Sequence, residues 1–281
     1  MFDPGEAFSP PLIRLSSVSV CFCEGVCMVS ERFPTGLKDF DSWTEGGFPP
    51  GNYLVLGPPK VGKTVFVNQV AYLSASANRP VVYVTLDASP ASIRARMLEF
   101  GWDVEALEKK NTFQFVDCFT LWYARHPINH GDEFSVESLT NISKLLSVIV
   151  SAHDKVGYGG ITIFSSLSTL LEHAGFQRAY SLMTGLKAIT EEEKNLGFTV
   201  LTSGMHSEKE TNAFKHIVDG IVEMQYKAEN GFTRRVRILG LGARLEYLDW
   251  KTFTITKNGI NLHTDKQNTK HTPPPKKGKP R

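Results

Sequence analysis

Eight consecutive residues, Gly57-Pro58-Pro59-Lys60-Val61-Gly62-Lys63-Thr64, constrain this chain more than anything else in it. They fit G-x-x-x-x-G-K-[ST], a pattern that works where a strand hands over to a helix. The glycines permit a tight wrap whose backbone N–H groups point at phosphate oxygens, and the following helix adds the positive end of its dipole. Lys63 then serves as a point charge for the outer phosphates, and the Thr64 hydroxyl as a ligand for Mg²⁺. Both flanks have the required character. Residues 53–56 form an apolar run ending at Gly57, and a helical pattern follows over 63–77. The expected contact stretch is therefore Gly57, Pro58, Pro59, Lys60, Val61, Gly62, Lys63, Thr64 and Val65, and the expected ligands are ATP and Mg²⁺.

Around this loop, short β-branched or apolar runs alternate with helix-length patterns. Strands are expected at 53–56, 81–86, 113–116, 161–164, 198–202, 220–225 and 235–239. Helices are expected at 63–77, 89–99, 135–153 and 179–195. Such alternation predicts an α/β domain with a mostly parallel central sheet and helices on both faces. Beyond residue 220 strands and turns dominate, which predicts an antiparallel C-terminal β extension. It closes on a hairpin, 252–256 and 260–262, around Asn258-Gly259.

The domain is expected over 31–263, preceded by a poorly structured leader, 1–30, and followed by a disordered basic tail, 264–281. The tail holds Lys266, Lys270, Lys276, Lys277, Lys279 and Arg281 against Asp265, with three successive prolines. It lacks the apolar surface that would offset the entropy of ordering. Because the whole chain is only +2, the body before the tail is mildly acidic, which argues against a dedicated nucleic-acid-binding core. Tail contact with nucleic acid or anionic lipid stays open as a salt-sensitive interaction. No apolar run approaches the roughly 20 residues of a membrane span. Four cysteines in 281 residues do not form a disulfide framework, so a reducing, cytoplasmic setting is expected. Cys21, Cys23 and Cys27 lack a fourth partner for a zinc site, and Met28 is a second candidate start.

The residues leading into the loop, Thr35-Gly36-Leu37, Asp41 and Gly46-Gly47-Phe48-Pro49 with Gly51, resemble the KaiC-like ATPases of the RecA/RadA superfamily. So do Val84-Thr85-Leu86-Asp87 with Ser89-Pro90, Phe100-Gly101-Trp102-Asp103, Phe115-Val116-Asp117 and the closing 253–260 stretch. The resemblance covers about 31–263 and implies a RecA-type P-loop fold. It further implies a homo-oligomer, often a hexameric ring sharing ATP sites between neighbours, or a regulatory protein partner.

Against that pattern three groups are replaced. The family ends its fourth strand on a metal-side aspartate, where this chain registers Ser165; a serine reaches metal-bound water without bringing charge. The family carries a glutamate where Asp87 stands, a carboxylate shorter by one methylene, roughly 1.5 Å. Its trans-acting cations fall on Gly240 and Gly242, leaving Arg244 as the replacement by strand alternation. Asp117 is a second candidate for the metal side. With the attacking water and the developing charge poorly served, the expectation is an ATP-binding protein of weak or absent hydrolysis, its nucleotide a structural ligand or switch. Asp87 and Arg244 are the catalytic candidates, Thr64 and Ser165 the metal candidates. Two other readings stay open: an active RadA-like ATPase of DNA recombination or repair, and a nucleotide-stabilised interaction scaffold.

Overall fold

A computed structural model describes residues 32–123, 134–228, 232–241 and 244–263, with backbone alone at 122, 123 and 244–247. The expectations for the leader, the basic tail, Cys21, Cys23 and Cys27 lie outside these residues.

In chain order the elements are α1 (Lys38–Trp43), β1 (Gly51–Gly57), α2 (Lys63–Ser76), β2 (Val81–Thr85), α3 (Pro90–Leu98), α4 (Glu105–Lys109), β3 (Phe113–Asp117), α5 (Thr120–Tyr123), α6 (Ile142–Val156), β4 (Ile161–Ser165), α7 (Leu167–Ala174), α8 (Phe176–Glu193), β5 (Leu196–Thr202), α9 (Glu208–Ile217), β6 (Gly220–Ala228), β7 (Phe232–Leu241), β8 (Arg244–Thr256) and β9 (Gly259–Leu262). One sheet runs in the order β3-β2-β4-β5-β1-β6-β7-β8-β9. Pairings from β3 through to β6 are parallel, and those from β6 to β9 antiparallel. The expected α/β architecture, with its antiparallel extension, is the one observed.

The parallel strands read as unbroken apolar runs because both faces are covered, and β1, β2 and β4 are buried at every residue. One face packs against α2 and α3, burying Phe48, Tyr53, Phe66 and Phe198 together. The Phe198 ring lies 5.2 Å from Phe48 and 5.7 Å from Phe66, both edge-on. Such pairs add about 0.5–1.5 kcal/mol beyond area burial, and they anchor α2 beneath its first turn. The other face packs against α6 to α9. There α6 buries Leu145, Val148, Ile149 and Ala152, the 3–4 spacing of an amphipathic helix.

Several boundaries differ from the sequence reading. The expected helix 135–153 starts only at Ile142, where the Asn141 side chain caps Lys144 N at 3.0 Å. Ser135 instead forms a β-bridge with Asp117. The helix expected at 179–195 begins at Phe176, while α1, α4, α5, α7 and α9 were not anticipated. β8 is longer than 252–256 and starts at Arg244, paired with Leu241. Among the described residues no helix is long and apolar enough to cross a membrane.

Candidate nucleotide site at the head of α2

The chain leaves β1 at Gly57, turns through residues 58–62 and enters α2 at Lys63. Gly62 has φ +125°, a conformation that favours glycine, and a Cβ there would also stand 2.9 Å from Ile255 Cδ1 on β8. Upstream, the Asp41 carboxylate accepts from Thr35 N (2.7 Å), Thr35 Oγ1 (2.7 Å) and Gly36 N (3.0 Å). The Asp of the lead-in thus holds the turn that precedes α1.

A cavity of about 430 Å³ opens over the loop, lined by Pro59, Lys60, Gly62, Lys63, Thr64 and Val65. Gly57, Pro58 and Val61 turn inward: the first two offer carbonyls to Lys63, and Val61 is buried in the core. Asp87, Arg96, Glu99, Phe100 and Ser166 complete the polar and aromatic wall. Arg96, Glu99 and Phe100 come from the end of α3 and just beyond, and sequence reasoning missed them as site residues. The repeated two-residue steps around Phe100 and Trp102, whose rings stack at 4.6 Å, carried no site signal of their own.

Lys63 is 6% exposed, and its Nζ donates to the carbonyl oxygens of Gly57 (2.7 Å) and Pro58 (2.9 Å). Burial lowers its pKa from 10.5 to about 8, with Asp87 pulling the other way. A cation that is desolvated, and hydrogen-bonded only by neutral oxygens, favours an incoming anion.

Asp87 follows β2 at the cavity edge. Its carboxylate accepts from the Ser166 hydroxyl at 3.2 Å and from the Thr169 hydroxyl. It does not cap α3; Ser89 does, accepting from Ser92 N at 3.3 Å. Ser165 ends β4, buried, with its side chain against the Tyr83 phenol, and the Ser165–Ser166 peptide is cis. Ser166, not Ser165, lines the cavity. Asp117 is engaged elsewhere: its carboxylate accepts from Phe119 N and Thr120 N, both at 2.9 Å, fixing the turn into α5.

Arg244 lies across a turn from Leu241, on β8. The strand reverses between them, so alternation from Gly240 does not reach Arg244, and that step of the sequence reading is corrected. Its side chain lies outside the described residues. Gly240 has φ +76° and packs its backbone on Gly220, whose Cβ would meet Gly240 O at 2.2 Å. A close main-chain crossing occupies the position where the resemblance implies a trans-acting cation.

The residues present fit a triphosphate: a 14-residue helix opens on the cavity, with one buried lysine and a loop whose two glycines, Gly57 and Gly62, leave little room for a Cβ. For the metal, no group of three or more His, Cys, Asp or Glu side chains could form a cage among the described residues. The Thr64 hydroxyl and the Asp87 carboxylate suit Mg²⁺, which keeps most of its waters and binds through few protein groups.

The model for the KaiC ATPase family matches residues 33–267. A UPF0273 protein of Pyrococcus horikoshii is 27% identical over 244 residues, 85% of this chain and 96% of that one. One from Methanocaldococcus jannaschii is 28% identical, over 84% and 98%. The crystal structure of a KaiC-like protein from Pyrococcus horikoshii superposes with a TM-score of 0.69 at 22% identity. The match covers 84% of this chain and all of that one.

Proposed function

The chain belongs to the KaiC ATPase family, and from that premise we propose that it binds Mg·ATP over residues 57–65, turns it over slowly, and uses the nucleotide as a structural ligand or switch within a homo-oligomer. The observation that carries the slow turnover is the serine at the end of β4. Ser165 sits buried against Tyr83 at the place where the family's pattern has a carboxylate, which leaves Asp87 and Glu99 as the acids lining the cavity.

Lys63 would exchange its two carbonyl acceptors for phosphate oxygens. The α2 amides would cradle the same group, and Thr64 and Asp87 would hold the metal, Thr64 directly and Asp87 through water. When bound, magnesium neutralises charge on the outer phosphates. Asp87 is the carboxylate available to orient the attacking water. Its engagement by Ser166 and Thr169 holds it at the wall, and a misplacement near 1 Å can cost on the order of 100-fold in rate. Ser165, set against Tyr83 and outside the cavity lining, would bring the metal neither charge nor a direct contact. Arg244 remains the trans-acting candidate from a neighbouring copy.

Steady-state turnover of the purified protein with Mg·ATP decides the matter. The expected rate lies far below one per second. A rate near one per second that disappears in Lys63→Ala would overturn slow turnover, and retained binding in Lys63→Ala would overturn the site itself.

A further inference from the structure

Two apolar features are left uncovered at opposite ends of the sheet. At one end Phe232, 84% exposed, opens β7 beside β6, its ring edge-on to Tyr226 at a centroid distance of 6.1 Å. At the other end a groove of about 410 Å³ runs along α3 and into α4, lined by Ala91, Ala95, Trp102 and by Leu98, which is 61% exposed. Single exposed apolar residues are ordinary. A protruding ring and an apolar groove of the same chain are a different matter when their surroundings carry opposite charge.

They do. Arg234 follows Phe232 on the same strand face, stacked over Tyr226 at 5.8 Å, and Arg235 is stacked over Trp250 at 4.3 Å. By alternation Arg234 shares the face of the Phe232 ring and Arg235 lies on the other, so one guanidinium stands beside the protruding ring. The groove is edged by Asp103 and Glu105. Its own arginine, Arg94, is neutralised by a bidentate pair with Glu108, both contacts at 2.7 Å. The groove therefore presents apolar walls and an acidic rim to a basic-rimmed aromatic.

Within one copy the two cannot meet. α3 follows β2, and β4, β5 and β1 separate β2 from β6 in the sheet; four strand spacings are roughly 19 Å. We propose that Phe232 of one copy seats in the Leu98–Trp102 groove of the next, with Arg234 facing the acidic rim of Asp103 and Glu105. The contact joins different patches on the two copies. It is heterologous, so it builds a ring if the rotation closes and a filament if it does not. The proposal rests on the assembly part of the reading above and is independent of nucleotide turnover.

The test is sedimentation velocity of the full-length protein over a concentration series, with Mg·ATP. Phe232→Asp and Leu98→Asp should each weaken assembly by about thirtyfold or more, as loss of a central anchor does. Both positions are exposed, so circular dichroism melts should match the parent. In a background with Cys21, Cys23 and Cys27 changed to Ser, a mixture of Leu98→Cys and Phe232→Cys proteins should give a disulfide-linked dimer, and neither protein alone should. The proposal is overturned if the parent is monomeric throughout, if neither aspartate variant alters assembly, or if cross-links form between like positions. It is also overturned if Leu98→Asp alone acts, because the groove then takes another occupant, such as residues 264–281 or a different protein. Binding of a fluorescent ATP analogue to the same samples separates the two readings. Assembly through 98 and 232 without nucleotide binding sinks the nucleotide site and leaves this contact standing.

Discussion

The Lys63 ammonium donates to the carbonyl oxygen of Gly57 at 2.7 Å, and that same oxygen accepts from the Ser203 amide at 2.9 Å. The residue that begins the loop and the residue that begins the helix are thus latched together, with the end of β5 as a third party. A triphosphate has to open this latch, offering charged oxygens in place of neutral ones, an exchange that favours the ligand.

Lys63→Ala should lower ATP affinity by about 10- to 100-fold, the worth of one or two charge-assisted hydrogen bonds. The nucleotide-free protein should melt within a few degrees of the parent, since the variant removes a desolvated cation. The parent should gain about 2.7 kcal/mol at a ligand concentration 100 times its Kd, and the variant at that concentration about 0.4–1.4 kcal/mol. Thermal shift with and without Mg·ATP reads both.

Affinity for ATP should be level up to about pH 8 and fall above it. The Lys63 pKa is lowered from 10.5 to about 8 in the free protein, and bound phosphate restores the charge. Binding above pH 8 therefore takes up a proton and weakens about tenfold per pH unit. The same shift makes the charged lysine a cost to folding below pH 8, relieved as the pH rises toward 10.5. Calorimetry at pH 8.5 in two buffers of different ionisation enthalpy should show the proton uptake. An affinity unchanged to pH 10 would contradict it.

Asp87→Glu should raise turnover, by about tenfold or more, because the added methylene returns the reach that a water-orienting carboxylate needs. Asp87→Ala should abolish residual turnover while leaving ATP binding within a few-fold. A phosphate-release assay together with equilibrium binding distinguishes these effects. Equal rates in all three proteins would remove Asp87 from the chemistry.

Gly240→Lys should not restore a working cation. At φ +76°, with a Cβ 3.0 Å from the Asp219 carbonyl, a side chain costs about 1–3 kcal/mol. The expected outcome is a lower melting temperature and no gain in rate. A faster, equally stable variant would show that the crossing of 220 and 240 yields more readily than its geometry implies.

Stability should drain away as the pH falls from 6.5 toward 4. His153 is fully buried, its Nε2 against Thr162 Oγ1 at 2.9 Å and its Nδ1 without a hydrogen bond, 3.9 Å from the Glu193 carboxylate. Burial lowers its pKa from 6.5 to about 4. The unfolded chain binds the proton first, so the loss runs at up to about 1.4 kcal/mol per pH unit in that window. Glu193 works in the opposite sense, because burial raises its carboxyl above the usual range. His153→Gln should flatten the slope in urea titrations at pH 4.5, 5.5 and 6.5.

The loop was legible because its chemistry fixes spacing: two glycines and a lysine serve phosphate only at those intervals. The parallel strands were legible because two-sided burial leaves an apolar run such as 81–85. α9 was not, since it buries only Phe214 and is started by a Ser207–Glu210 capping box rather than by an apolar stripe. α7 was hidden by its neighbour: Leu167 follows β4 so closely that its apolar residues read as part of the strand motif. The stretch 135–141 matched a helical period, but its start is bridged to Asp117 through Phe134 and Val136, a tertiary tie no local pattern reveals. Phe100 and Arg96 entered the cavity through the placement of α3 against α2, which sequence spacing does not encode.

A Cβ at Gly57 would fall 2.5 Å from the Met224 carbonyl, and Phe253 and Ile255 press on Gly62. The antiparallel arm is thus the roof of the phosphate loop. It follows that the parallel half is not a self-sufficient minimal binder: a chain cut after β5 would keep every motif residue yet lose the scaffolding that keeps the loop curled. Nucleotide and arm must order one another, so any tug on the hairpin is felt at the first turn of α2.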